Sequence, residues 1–376
     1  LGTLATQSGT FSGTSSGTNT GDQVAVTGNS GSTDALKSAT TTVNVVSATA
    51  PSSGQVLTAT GSTAATWQTP SSGVTGFTGS QNTSSPNDTV NASRLLVSAS
   101  STNADFVLQP KGTGAIIAQL PDSTTAGGNK RGSGAVDFQT IRDSSGQVAS
   151  GAQSFNFGRN STASGARSFA SSFGGVASGS SAVVLATVYG TSSANYGALV
   201  GGAHNDNNSA YGGVFGGYRG TTRGIYGMVA RASGSFTTAK GVAQKAEYIL
   251  RCITTSGTAK VLTADEGAAG TTNQCILPNN SSYTIRGLVN SHRTDVIGTS
   301  AGWTFTGTIR RGANAASTTV VAAITATTTG ADAGAATWTL TVTADTTNGG
   351  VKVEFVGESG KTIRTCAVIE TVEVTS

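Results

Sequence analysis

Apolar and polar residues alternate along several runs in the last third of the chain. Trp338-Thr339-Leu340-Thr341-Val342 is the clearest, and Glu247–Ile253, Tyr283–Val289, Trp303–Arg310, Val320–Ala326, Ala336–Thr343, Val351–Val356 and Thr362–Thr375 are strand-like in the same way. A period of two is that of a half-buried strand. Asn348-Gly349-Gly350 falls between two of these runs as a hairpin turn. Strands with turn signals and no helical pattern predict a β-sandwich over 235–376.

The middle of the chain has a longer period. Ala149-Ser150-Gly151-Ala152-Gln153-Ser154-Phe155 returns fourteen residues later as Ala163-Ser164-Gly165-Ala166-Arg167-Ser168-Phe169, and a third, shorter copy begins at Ala177-Ser178-Gly179. The stretch divides into units 148–161, 162–175, 176–190, 191–205, 206–220 and 221–234, fourteen or fifteen residues each, with Tyr196, Tyr211 and Tyr226 fifteen apart. A unit this short holds two strands and two turns and cannot bury an apolar face alone, so units must stack as a solenoid. Each coil then advances by one strand spacing, about 4.8 Å.

Upstream the pattern thins. Residues 1–80 hold three charged side chains, Asp22, Asp34 and Lys37, and short β-branched runs at Val43–Val46 and Gln55–Thr58. They read as an extended shaft of short strands that order when several chains wrap together. Residues 81–147 read as a β-rich connecting block with strands at Arg94–Val97 and Asp105–Leu108. Lys111-Gly112-Thr113-Gly114 within it lacks the spacing of a phosphate loop and reads as a turn.

Composition supports stacking over a thick monomeric core: only 11% of residues are charged and 6% aromatic, and there are 52 glycines. Small side chains bury little area each. The net charge of +4 is dispersed, with the densest basic spots at Lys130-Arg131 and Arg310-Arg311. That excludes the clustered basic face of a nucleic-acid binder. No apolar run is long enough to span a membrane, and no leader is visible, although the chain opens on Leu1. Cys252, Cys275 and Cys366 lack metal-site spacing and read as buried strand thiols, with a Cys252–Cys275 disulfide left open.

Several segments resemble the tail fibres of tailed bacteriophages. Gly54-Gln55-Val56-Leu57…Trp67 resembles the Gly-Gln-Val-Leu…Trp repeats of phage and bacterial surface fibres. Leu108–Gly114 through Gly127–Gln139 resembles a block recurring in phage fibre proteins. The 148–234 repeat is similar to the left-handed parallel β-roll heads of trimeric autotransporter adhesins, although the last two units lose the Ala-Ser-Gly signature. Trp303…Arg310, Trp338–Leu340 and Gly360–Arg364 are similar to C-terminal tips of phage fibres. The resemblance covers most of the chain after residue 50. It implies an all-β, elongated homotrimeric fibre: an extended shaft, a left-handed β-roll and a C-terminal β-sandwich tip that touches the bacterial surface.

Chemistry is sparse. A glycoside hydrolase needs two carboxylates about 5–10 Å apart. Among 18 acids, Asp265-Glu266 are adjacent, and Glu354 alternates with apolar neighbours as an outer strand face. His204-Asn205-Asp206-Asn207-Asn208 reads as a polar coil corner, with a cation or glycan contact as its functional alternative. Trp303 and Trp338 read as core. Receptor contacts are expected on tip loops, at Asn279, Asn280, Tyr283, His292 and Arg293.

The expectation is a non-enzymatic virion protein of the tail that needs no cofactor or metal. Its partners would be two further copies of itself, a host surface glycan or outer-membrane receptor, and a baseplate or tail protein at the N-terminal end, without nucleic acid or membrane insertion. The alternatives are a polysaccharide-depolymerising tailspike and a bacterial trimeric adhesin. The latter expects a membrane-anchoring β-barrel after the tip, and the chain stops at Ser376.

Overall fold

The computed structural model describes residues 35–37, 42–45, 52–70, 77–82, 92–97 and 102–376. The chain divides into two compact units, Leu1–Val107 and Leu108–Ser376. Among the described residues the regular elements are strands, apart from single 3-10 turns at Ala315–Ser317 and Ala333–Ala335.

In the first unit, Val56–Ala59 and Ala64–Gln68 form a hairpin with Leu57 opposite Trp67. Ala64–Gln68 also pairs in parallel with Thr42–Val45, which pairs with Ala35–Lys37. Phe77–Asn82 and Ala92–Val97 form a second hairpin. The runs around Val43, Val56 and Arg94 are therefore strands. The remainder of the shaft reading for 1–80 lies outside the described residues. Asp105–Leu108, expected as a strand, has no strand pairing, and Phe106, Val107 and Leu108 are exposed.

The second unit contains the solenoid. Phe155 pairs in parallel with Phe169, then Val183, Ala198, Gly213 and Val229, in steps of 14, 14, 15, 15 and 16 residues. A second parallel ladder joins Thr162–Ala163, Val176–Ala177, Thr191–Ser192 and Asp206–Asn207. The first ladder runs back beyond the repeat, through Val136–Asp137 to Ile116–Ile117.

The Ala-Ser-Gly signature follows from this stack. Ala149, Ala163 and Ala177 are fully buried and fill a coil interior too thin for larger side chains. Gly151, Gly165 and Gly179 sit where successive backbones touch: a Cβ on Gly165 would lie 1.9 Å from the carbonyl oxygen of Gly179. One corner of each coil is left-handed, at Gln153, Arg167, Ser181, Tyr196 and Tyr211, with φ between 55° and 58°. L-residues adopt that conformation at a cost and hold it where surrounding structure enforces it. The change from fourteen to fifteen residues is a bulge. Ser171 pairs with Leu185 and Phe173 with Val188, so Ala186, at φ 51°, is the inserted residue. Gly201 and Gly216 keep that left-handed position in the next coils. The last step is longer than the tyrosine spacing implies. Gly227, not Tyr226, takes the left-handed corner there.

Six long strands follow: β1 (Ala243–Thr254), β2 (Ser281–Arg293), β3 (Ser300–Arg311), β4 (Thr339–Asp345), β5 (Gly350–Val356) and β6 (Ile363–Thr375). β1 pairs antiparallel with the last coil strand, Val229–Ala232, so the solenoid sheet continues as β1, β6, β2 and β3. β4 and β5 form a smaller sheet with Lys260–Val261 and Cys275–Ile276. The two sheets share one buried cluster, in which the Phe355 ring takes the edges of Trp303 and Trp338 at 6.0 and 5.9 Å. Both tryptophans are thus core. The expected Val320–Ala326 strand reduces to Thr319–Val320, because Gly307 packs against Ile324 and turns the chain toward β4.

Two buried ion clusters bracket the solenoid. Upstream, Asp137 accepts from Arg131 Nε at 2.7 Å and lies 3.5 Å from Arg142, all three side chains out of solvent. Downstream, Glu373 on β6 accepts from Arg223 at 2.5 Å, Gln244 at 2.8 Å, Tyr248 at 3.0 Å and Thr371 at 2.8 Å. Burial works against the Arg223 charge, but the surrounding acidic groups, Tyr283 and Glu373, outweigh it and raise its pKa above the usual arginine value.

The expectation of three buried thiols is corrected. Cys252 and Cys275 are buried, Cys366 is exposed on the outer face of β6, and none is in a disulfide. Burial raises the Cys252 thiol to about 11 and pushes Cys275 further. Thiol titration of the native protein should therefore find at most one reactive cysteine per chain, and all three after denaturation. Asp137→Ala should destabilise by about 3–5 kcal/mol in chemical denaturation, because it leaves two buried guanidiniums without their counter-charge. Gly165→Ala should cost about 3 kcal/mol through backbone overpacking.

Candidate functional site

The expected receptor residues do not gather in one place. Asn279 and Asn280 are exposed just before β2, whereas His292 and Arg293 end it, roughly 40 Å away at strand rise. Tyr283 is corrected: its ring is fully buried beneath Arg223, whose guanidinium carbon lies 5.7 Å from the ring centroid, and it offers no surface. β2 alternates inward at Tyr283, Ile285 and Val289, and position 283 falls on the core side of that register.

At the far end of β2, Arg293 is already engaged. Its Nε and Nη2 donate to Asp295 at 3.1 and 2.7 Å, and Asp295 also accepts from the Thr362 amide at 2.9 Å. The Arg293 hydrogen bonds hold the Asp295 carboxyl down to about 2. His292 Nδ1 lies 2.9 Å from the Ser300 hydroxyl. This end is a closed hairpin clasp.

The near end is open. β2 and β3 pair so that Ser281 faces Arg311 and Ser282 faces Arg310, while Ser282 faces Val374 of β6 on the other side. The Asn280 amide donates to Gly312 O at 2.9 Å, and the Ser376 amide donates to Asn280 O at 3.0 Å. Between them is a cavity of about 600 Å³, lined by Asn280, Ser282, Arg310, Arg311, Ser317 and Val374 among others. Arg310 is exposed on the outer face beside Ser282, whereas Arg311 Nη1 donates to the buried Leu277 O at 2.6 Å on the core side. Sequence reading noted Asn280 and the Arg310-Arg311 pair separately. The strand register that sets Arg310 beside Ser282 and turns Arg311 to the other face was not visible.

A second surface runs along the sheet. The outward positions of the solenoid ladder, Phe155, Phe169, Val183 and Ala198 in one row and Leu185, Val200 and Phe215 in the next, carry no charge. The Phe155 and Phe169 rings stack at 5.1 Å. The same face continues through Val229, Ile249, Val372 and Leu288, with Phe215 47% and Leu288 63% exposed. Charges interrupt it there: Lys245 pairs with Glu370 at 2.7 Å and Arg286 with the same carboxylate, while Arg231 and Glu247 share the face without an ion pair among the described residues.

The remaining candidates have structural roles. Asn205 and Asn207 are buried and satisfy coil backbone. Asn205 accepts from the Gly220 amide at 2.7 Å, and Asn207 donates to Gly212 O at 3.1 Å. They take over where the Ala-Ser-Gly signature ends. His204 stacks on Tyr189 and meets Tyr218 edge-on, each centroid 5.6 Å away. Asp265 accepts from Asn273 at 2.8 Å, and Glu266 pairs with Arg251 at 2.6 Å. Among the described residues, no cluster of three or more metal-ligating side chains occurs.

No family model matches the sequence, and no curated protein matches it. Among solved structures, the tailspike protein of Acinetobacter phage vB_ApiP_P1 aligns at 12% identity over 59% of this chain, with a TM-score of 0.19. The alignment spans 51% of that protein, about half its length. A score that low carries no shared fold.

If Arg293 and Asp295 form the clasp described, Asp295→Ala should loosen the 294–299 turn without unfolding the sheet. Hydrogen exchange should speed at Thr362 and stay unchanged at Ile285.

Proposed function

We propose that this chain is a subunit of a homotrimeric tail fibre of a tailed bacteriophage, a virion protein that attaches the particle to the bacterial surface by multivalent binding. The observation that carries this reading is the uncovered apolar face that continues from the solenoid into the terminal sheet. A patch of that extent on a soluble chain marks an interaction surface, and its regular rungs suit an identical neighbour. The sequence resemblance of the 108–139 block, the repeat and the terminal segments to phage fibres supports the same assignment. In it, the C-terminal domain is a β-sandwich tip, the N-terminal end joins a tail protein, and no step of catalysis is required. Three tips per fibre raise avidity through effective concentration.

Light scattering of the purified chain should give three times 37.1 kDa. Leu288→Asp and Phe215→Asp each place a charge on the face and should yield folded monomers, with the sheet signature in circular dichroism retained. Trimers that persist in both variants would move the interface elsewhere, and a wild-type monomer would overturn the assembly. Incubation with host polysaccharide should leave its length unchanged. Release of reducing ends would make the protein a depolymerising spike.

A further inference from the structure

We infer that the solenoid corner carrying Tyr196, Tyr211 and Tyr226 is a binding track for a neutral, extended glycan chain that lies along the stack. The tyrosines meet the sugars, and a parallel row of Ser178, Ser193 and Asn208 meets their outer hydroxyls. The inference rests on the attachment reading for its biological source, a bacterial surface polysaccharide.

Position is the first ground. The corner joins the second ladder to the first: Tyr196 falls between Thr191–Ser192 and Ala198–Val200, and Tyr211 between Asp206–Asn207 and Gly213–Gly217. It is the side of the coil, apart from the apolar rows through Phe155 and Leu185 that are proposed to face neighbouring subunits. Tyr196 and Tyr211 are 52% and 56% exposed. Their rings stack at 4.9 Å, and Tyr211 meets Tyr226 at 5.1 Å. One ring per strand spacing is also about one ring per sugar of an extended chain. The stack ends at Tyr196, where the preceding corner residue is the small Ser181, so one ring face has no aromatic neighbour.

Residue choice is the second. Tyr196 and Tyr211 hold left-handed backbone, with φ of 57° and 58°. A bulky side chain there is an outlier, and strain of this kind gathers at binding sites. Stacking alone is met by phenylalanine, as in the Phe155–Phe169 pair on the apolar face. On the corner each ring carries a hydroxyl, and those of Tyr196 and Tyr211 have no hydrogen-bond partner among the described residues. A ring with a polar handle suits a surface that is apolar at one end and wet at the other.

Preorganisation and charge are the third. The Asn195 side chain accepts from the Ser180 amide at 2.9 Å, and the Asn208 side chain accepts from the Gly224 amide at 2.7 Å, which fixes both side-chain amides. Tyr226 packs against the buried cluster, and its amide donates to Thr272 O at 2.8 Å. Ser178, Ser193 and Asn208 are exposed. The corner segments 164–168, 178–182, 193–197 and 208–212 hold no acid and a single charge, Arg167. Rings, hydroxyls and amides without a cluster of charge select a neutral sugar chain over an acidic one.

The test is calorimetric titration of the full chain with cellohexaose, cellobiose and a galacturonate oligomer. Cellohexaose should bind at millimolar concentration or below, with an affinity unchanged by salt. Cellobiose reaches fewer rungs and should bind at least tenfold more weakly, and the galacturonate oligomer should bind no better than cellohexaose. Tyr211→Asn puts a residue suited to left-handed backbone at the corner, so it should keep the sheet signature in circular dichroism and lose at least tenfold in affinity. Tyr211→Phe keeps the stack and should lose only a few-fold, and Tyr189→Asn, at the opposite corner, should bind as wild type. No binding of cellohexaose, wild-type affinity in Tyr211→Asn, or binding confined to the charged oligomer overturns the track. Adhesion of labelled protein to bacterial cells is scored separately. Adhesion without cellohexaose binding removes the track and leaves attachment standing, whereas cellohexaose binding without adhesion does the reverse.

Discussion

The parallel backbone ladder is the constraint on which the rest depends. Stacked coils advance by one strand spacing and turn at the same places, so each corner inherits its geometry from the coil before it. That is why Gln153, Arg167, Ser181, Tyr196 and Tyr211 share one left-handed conformation despite unrelated side chains. The close approach at Gly151, Gly165 and Gly179 belongs to the same constraint. The bulge at Ala186 shows its strength: once one coil gains a residue, the coils that follow keep it, through Gly201 and Gly216. A residue that no coil could accommodate alone becomes a regular feature of the stack.

A parallel ladder has exposed ends, and open edges invite unwanted pairing. The two ends are managed differently. Upstream, the edge strand is only Ile116–Ile117, and beside it Asp137 draws Arg131 and Arg142 inward, which also donate to loop carbonyls, Gly127 at 2.5 Å and Ala126 at 2.8 Å. Downstream, the ladder changes to antiparallel pairing at β1, and Glu373 reaches from β6 to Arg223 in the last coil. Buried ion pairs are weak evidence for net stability. The downstream pair joins segments far apart in sequence, residues 223 and 373, which locks the terminal sheet in register with the solenoid. The continuous outer face that follows is a consequence of that register.

Legibility in the sequence tracked the locality of each cause. The all-β class, the repeat and its change from fourteen to fifteen residues could be read, since each repeats at short range around Ala149, Ala163 and Ala177. The strands β1 to β6 were readable from period-two alternation, β4 most clearly, and the Trp303 and Trp338 core positions with them. The lengthened final step was hidden because Tyr226 keeps the fifteen-residue spacing while the corner moves to Gly227. Tyr283 was assigned to the tip loops although it opens the Tyr283–Val289 strand run, and the face it takes is set by pairing with β6, which is not local in sequence. The upstream extension of the ladder was invisible, as its coils of nineteen and twenty residues match no repeat.

The cavity marks the limit of such reading. Asn280 and Arg310 are thirty positions apart, and only the pairing of Ser282 with Arg310 makes them neighbours. Lys245, Arg251, Arg286 and Arg293 each meet a carboxylate. At the near end of β2 the two neighbouring arginines take opposite faces of the sheet: Arg310 stands exposed beside Ser282, and Arg311 turns to Leu277 O and Gly349 O on the core side.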